Sequence, residues 1–278
     1  MRFKLLIAPL AMASATFGAS IDFVDLYRTG IYSQTTAAQP STATGYFLSA
    51  NVYLPSAGSF NGGTFTPAGG AANALSLNGT VLRYGSAVQP TLSNFNIAFP
   101  TGTYSYTATD STNANPNAPQ TVAVNFAGGG AFASAVPFVT NYNSLNGLNP
   151  LTALSINWNS FTGALANSFV FFTITNHATS AVVVNQGFLA SNTTSYAVAG
   201  GTLQANTAYD FTLVFSNRQT GTYSSGSATF APTLGFDVDT NGSFTTGASA
   251  AATPEPSTLL AVASGLAFLL ARRRRVLP

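Results

Sequence analysis

The chain has 278 residues, only 6% of them charged, with nine Lys and Arg, seven Asp and Glu, and no cysteine. Six of the nine basic residues, Arg2, Lys4 and Arg272 to Arg275, lie near the two ends, so the formal charge of +2 and the basic pI describe the termini. Between them Arg28, Arg83 and Arg218 face six aspartates, a net charge of −3, which leaves no basic patch for nucleic acid or anionic lipid. Without cysteine there is no disulfide framework and no thiolate chemistry, and a single histidine, His177, excludes a His/Cys metal centre.

In chain order, Arg2 and Lys4 precede an apolar segment from Leu5 to Met12 and then small residues. This is the pattern of a secretory signal peptide over residues 1–20, with cleavage expected after Ala13-Ser14-Ala15 or Gly18-Ala19-Ser20. Pro9 and the lack of an amphipathic period argue against a helix of the folded body. The body is expected over 21–246. It is large enough for one big β domain or two small ones, and holds 19 of the chain's 22 Phe and all 11 Tyr to bury. No internal repeat recurs at a fixed period.

Tyr46, Leu48, Ala50, Val52 and Leu54 alternate, as do Leu75 and Leu77. Val81 and Leu82 lead to Tyr84, with Asn78-Gly79 as the turn of a hairpin. Phe95, Ile97 and Phe99 predict a further strand, as do Tyr104 with Tyr106, and Val122, Val124 with Phe126. Thr109 to Gln120 reads as a polar loop, and Gly128-Gly129-Gly130 breaks the pattern. Phe132 to Pro150 is irregular, so a division of the body is expected near 127–150.

In the second half Leu154, Ile156 and Trp158 alternate, which makes Trp158 a core residue before it is a sugar platform. Phe169 to Ile174 reads as a central strand buried on both sides. A turn at Asn176 to Ser180 leads to Val182, Val183 and Val184. Tyr196 and Val198 follow, then a Gly200-Gly201 turn. The next strand carries Tyr209, Phe211, Leu213 and Phe215 inward and Asp210, Thr212 and Ser216 outward. Leu234, Phe236 and Val238 make a last strand, with Asp239-Thr240-Asn241-Gly242 expected to turn into Phe244. Residues 247–253 form a linker of small residues.

This series of short strands predicts an all-β sandwich, jelly-roll or immunoglobulin-like. The stretch from Gly201 to Phe211 looks like the loop and strand of immunoglobulin- or fibronectin-like modules, in which a tyrosine heads a late strand. Chemistry is sparse. Asp237, Asp239 and Asn241, with Gly242, match the first half of a Ca²⁺ loop, but position twelve is Ala248 where a bidentate Glu belongs. A polar hairpin turn explains the same residues. His177 reads as a surface imidazole, and no Gly-x-Ser-x-Gly elbow is present to make it part of a triad. No catalytic residue and no cofactor beyond that Ca²⁺ half-loop is expected.

The C-terminal stretch has three parts. Pro254 and Pro256 hold Glu255 in extended chain, where another protein can read it. Residues 257–271 carry no charge, and as a helix would span about 22 Å, short of the ~30 Å hydrocarbon core. Arg272, Arg273, Arg274 and Arg275 then supply a positive-inside signal that keeps this end in the cytoplasm and the body outside.

The order of Pro-Glu-Pro, apolar helix and terminal arginines resembles the PEP-CTERM sorting signal of bacterial exported proteins. The resemblance implies recognition of Pro254, Glu255 and Pro256 by an exosortase-type enzyme, transient anchoring in the inner membrane, and retention through Arg272 to Arg275. It covers only the tail. With export through the secretion machinery, the expectation is a non-enzymatic protein of the cell surface or extracellular matrix, associated with exopolysaccharide. A carbohydrate-binding module with a defined sugar site is the alternative, and a secreted hydrolase follows behind it.

Overall fold

Strands form wherever β-branched and aromatic residues alternate with small polar ones. The computed structural model describes residues 21–112, 118–126, 131–226, 228 and 230–249. The first half holds β1 (Phe23–Gln34), β2 (Gly45–Tyr53), β3 (Gly62–Thr66), β4 (Asn73–Asn78), β5 (Val81–Gly85), α1 (Leu92–Ala98), β6 (Gly102–Thr109) and β7 (Gln120–Phe126). The second holds β8 (Leu154–Asn157), β9 (Phe169–Asn176), β10 (Val182–Ala190), β11 (Ser195–Val198), β12 (Ala208–Thr220), β13 (Tyr223–Ser225) and β14 (Thr233–Thr245). The expected signal peptide, the glycine triplet, the Pro-Glu-Pro motif, helix 257–271 and the arginine cluster lie outside the described residues. Among the described residues no helix is long and apolar enough to cross a membrane.

Twelve strands pair in the order β10-β9-β12-β14-β1-β2-β5-β4-β3-β6-β7-β13, and β8 pairs with β11 in a separate two-stranded sheet. β1 and β14 run parallel, Asp25 opposite Thr233 through Gln34 opposite Gly242, while their other neighbours are antiparallel. Leu26, Leu48 and Val52 from one part of the sheet pack with Phe65, Tyr104, Tyr106 and Val124 from the other in one buried cluster. The Tyr106 hydroxyl crosses that layer to donate to the Asp25 carbonyl at 2.9 Å. A second cluster joins Phe172, Phe211, Leu213 and Phe215 to Ile156 and Val198 of the small sheet and to Trp158 just after β8. The architecture is therefore all-β and sandwich-like.

Several expected features form as read. Asn78 pairs with Val81 across the β4–β5 hairpin, and Gly79 takes φ 63°, the left-handed value a tight turn requires. Trp158 is buried, stacks on Phe172 at 5.5 Å, and donates from Nε1 to the Thr193 carbonyl. Tyr209 heads β12, and its hydroxyl accepts a hydrogen bond from the Gln204 N–H at 2.8 Å, the tyrosine-corner arrangement of immunoglobulin-like sheets.

Others are corrected. Phe95, Ile97 and Phe99 are not a strand: Thr91 caps α1 by accepting from the Asn94 N–H, and Phe95 and Phe99, four residues apart, point into the core while Ile97 is exposed. β9 is buried only at Val170, Phe172 and Ile174, and its other face is half-covered. Ser216 lies on the outer face as expected, but is fully buried there. The turn expected at Asp239 to Gly242 does not exist, because β14 runs straight through it between β12 and β1. Apart from these corrections, the irregular segment before Pro150 hydrogen-bonds to the sheet. Val139 and the Gln34 side chain exchange two hydrogen bonds of 2.8 Å, and the Thr240 hydroxyl donates to the Pro137 carbonyl.

Candidate binding pocket

Strand alternation sends Leu234, Phe236 and Val238 inward and leaves Thr233, Gly235, Asp237, Asp239 and Asn241 on the outer face of β14. Register then fixes their neighbours. Gly235 lies opposite Arg218 and Tyr27, Asp237 opposite Ser216 and Thr29, and Asp239 opposite Val214 and Ile31. On the next strand out, Phe171 lies opposite Val214 and Phe169 opposite Ser216.

Gly235 is what lets two of these side chains meet. A Cβ there would stand 2.3 Å from the Tyr27 ring and 3.1 Å from Arg218 Nη1. In the space left, the Arg218 guanidinium lies 4.0 Å from the centroid of Tyr27 and 4.9 Å from that of Phe169. Its Nε donates to Ser216 Oγ at 2.6 Å, and Ser216 Oγ donates in turn to Asp237 Oδ1 at 2.6 Å. The direct ion pair is looser, 3.6 Å from Arg218 Nη2 to Asp237 Oδ2.

Burial pushes the Asp237 carboxyl above the usual carboxylate range, against the opposing pull of Arg218 and the Ser216 hydroxyl. Asp239 is pushed well above it, first by burial and then by the neighbouring Asp237 charge, with Arg218 opposing. Its Oδ1 is buried without a hydrogen-bond partner. Burial and the nearby Asp25 carboxylate likewise raise the Tyr27 phenol.

The rim comes from an irregularity. Between Gln186 and Leu189, β10 slips its register against β9, and Phe188 sits in that bulge at φ 59°. The ring is 81% exposed and stands 4.7 Å from Phe169, tilted by 57°. Gly187 beside it approaches the Phe171 ring so closely that a Cβ would lie 3.3 Å away. Together these residues enclose a pocket of about 450 Å³, with aromatic walls, two carboxylates and one guanidinium.

The structure places the expected site residues as follows. Asp237, Asp239 and Asn241 share one face of a strand, and the Asn241 side chain accepts from the Thr212 hydroxyl at 2.7 Å. A calcium loop presents its oxygens from a turn, whereas these three residues lie along an extended strand. Among the described residues no three His, Cys, Asp or Glu gather as metal ligands. His177 Nδ1 pairs with Asp210 Oδ2 at 2.8 Å at the exposed end of β12, and among the described residues no serine hydroxyl hydrogen-bonds to it. Pro254, Glu255, Pro256 and Arg272 to Arg275 lie outside the described residues. Sequence reasoning missed Tyr27, Arg218 and Phe188; the available signal was that Arg218 is one of only three arginines in the body.

The C-terminal sorting segment marks an exported, sorted protein. The segment is specific: residues 252–275 match the PEP-CTERM protein-sorting motif, and the chain carries that motif. No curated protein matches the chain. Among solved structures it is similar to the BSP domain of a biofilm-associated protein, at 15% identity and TM-score 0.22, covering 84% of this chain and 30% of that one. It is also similar to a tetra-tandem repeat in the extending region of a large adhesion protein, at 17% identity and TM-score 0.21, covering 81% of this chain and 50% of that one. A third is the FN1–FN3 portion of chicken CNTN1, at 12% identity and TM-score 0.25, covering 79% and 68%.

Proposed function

We infer that this is a non-enzymatic protein of the bacterial cell surface or extracellular matrix, delivered by its tail and associated there with exopolysaccharide. The observation that carries the reading is the sorting motif over residues 252–275. An exosortase-type enzyme reads Pro254-Glu255-Pro256 while the apolar run 257–271 and Arg272 to Arg275 hold the chain in the inner membrane, and processing releases the body outward. The body suits that destination. It lacks lysine and cysteine between its ends and covers itself with Thr, Ser and Asn, which hydrogen-bond to polymers and give trypsin-like proteases few targets.

The carboxylate geometry supports a non-catalytic role. Glycoside hydrolysis needs two carboxylates flanking the scissile bond. Asp237 and Asp239 stand two residues apart on the same face of one strand.

The test is the intact mass and location of the protein in its host, with and without alanine at Pro254, Glu255 and Pro256. Loss of the tail and release from the inner membrane in the wild type alone is the expected result. Retention of Arg272 to Arg275 by both, in the inner membrane, would reduce the tail to a plain anchor.

A further inference from the structure

The outer-face pocket has no part in sorting, and its chemistry narrows what fits. An organic cation would be opposed by Arg218, whose guanidinium already covers Tyr27 at 4.0 Å and Phe169 at 4.9 Å. An anion would be opposed by Asp237 and Asp239 in the same lining. A neutral ligand meets neither penalty.

That ligand must hydrogen-bond to Asp239, whose Oδ1 is buried without a partner, as a hydroxyl can in either direction. It must also present an apolar face. Phe188 is 81% exposed at φ 59°, and its ring stands beside Phe169 in the pocket lining. A sugar ring combines these properties: hydroxyls around the edge and C–H groups on the faces, which stack on aromatic rings. A volume of about 450 Å³ is within the range of small-ligand sites.

We propose that this pocket is a subsite for a neutral pyranose unit of a polysaccharide, stacked on Phe188 and Phe171, with its hydroxyls donating to Asp237 and Asp239 and accepting from Arg218. The assignment deepens the surface reading by giving it a ligand class, and takes from that reading only the source of the polymer.

The experiment is a neutral glycan array followed by calorimetric titration, using the full chain in a zwitterionic detergent. Cellohexaose, laminarihexaose and maltohexaose are the soluble probes. Phe188→Gly removes the ring while suiting the bulge's backbone, Asp239→Asn removes the acceptor charge at constant shape, and Phe230→Ala removes an exposed ring outside the pocket lining. At least one neutral glycan should bind, with Phe188→Gly weakening it about tenfold or more, Asp239→Asn weakening it as well, and Phe230→Ala matching the wild type. No binding on the array, equal affinity in Phe188→Gly and wild type, or preference for tetramethylammonium or a polyanion would overturn the proposal. A failed pocket with intact sorting at Pro254 to Pro256 removes only this assignment; failed sorting with a working pocket removes only the delivery reading.

Discussion

Replacing Asp239 by Asn should make the body more stable at neutral pH, by a margin that vanishes in acid. The wild-type carboxyl is buried, faces the Asp237 carboxylate, and leaves Oδ1 without a partner; Arg218 is the opposing cation. Because its folded pKa lies above the unfolded value of about 3.9, the native chain keeps a proton that the unfolded chain releases. Stability therefore falls as pH rises from about 4, and stops falling once the folded carboxyl also ionises. Asn does not titrate and brings no buried charge, while Arg218 keeps Ser216 and Asp237. Asn still leaves a polar atom there, so the gain at pH 7 is the cost of the buried charge alone, about 1.4 kcal/mol for each pH unit by which folding raises the carboxyl. Urea unfolding of both proteins between about pH 4 and pH 8, with equal m-values, measures it. A less stable Asp239→Asn protein at pH 7, or a gap that does not change with pH, would refute the argument.

Tyr209→Phe keeps the ring in the second core but removes the acceptor of the Gln204 N–H, and should cost about 1–2 kcal/mol in urea unfolding. Arg28 is buried, donates to Asn96 Oδ1, and lies within 4.7 to 6.0 Å of the Phe95, Phe126 and Phe236 ring centroids, with no carboxylate paired to it among the described residues. Asn96→Ala should cost about 1–3 kcal/mol, whereas Arg28→Met, which removes the charge and its need together, should stay within about 1 kcal/mol of wild type on the same assay. Thr91→Ala should cost about 1 kcal/mol through loss of the cap on α1.

What was legible in the sequence was local. Alternation marked β2, β6, β7 and β12, Asn78-Gly79 marked its hairpin, and Tyr209 marked the immunoglobulin-like corner, because each signal lies within one strand or one turn. β1 escaped because the polar residues Asp25, Arg28 and Thr29 are all buried, which erases the contrast between faces. Phe95, Ile97 and Phe99 satisfy a period of two, yet Phe95 and Phe99 also satisfy the helical spacing that the Thr91 cap selects. Asp239 to Gly242 carries turn chemistry that long-range pairing overrides. Gly242 is there for another reason: a Cβ would stand 2.5 Å from the Phe211 ring packed against it. The pocket was illegible for the same cause, since its residues run from Tyr27 in β1 to Asp239 in β14.

The site's position also explains how it stays ordered without disulfides or a dense ion-pair network. β1 and β14 carry pocket residues on their outer faces, and β12 adds Val214 and Arg218. Their inner faces are held elsewhere: Leu26, Leu234 and Phe236 in the first buried cluster, Phe211, Phe215 and Phe244 in the second. Shifting a strand by one residue to relieve the strained rim or the unpaired carboxylate would turn these core side chains outward. Two cores thus fix one register, and the register places Tyr27, Arg218 and the aspartates opposite one another. A binding site on such strands is preorganised by packing that the ligand never touches.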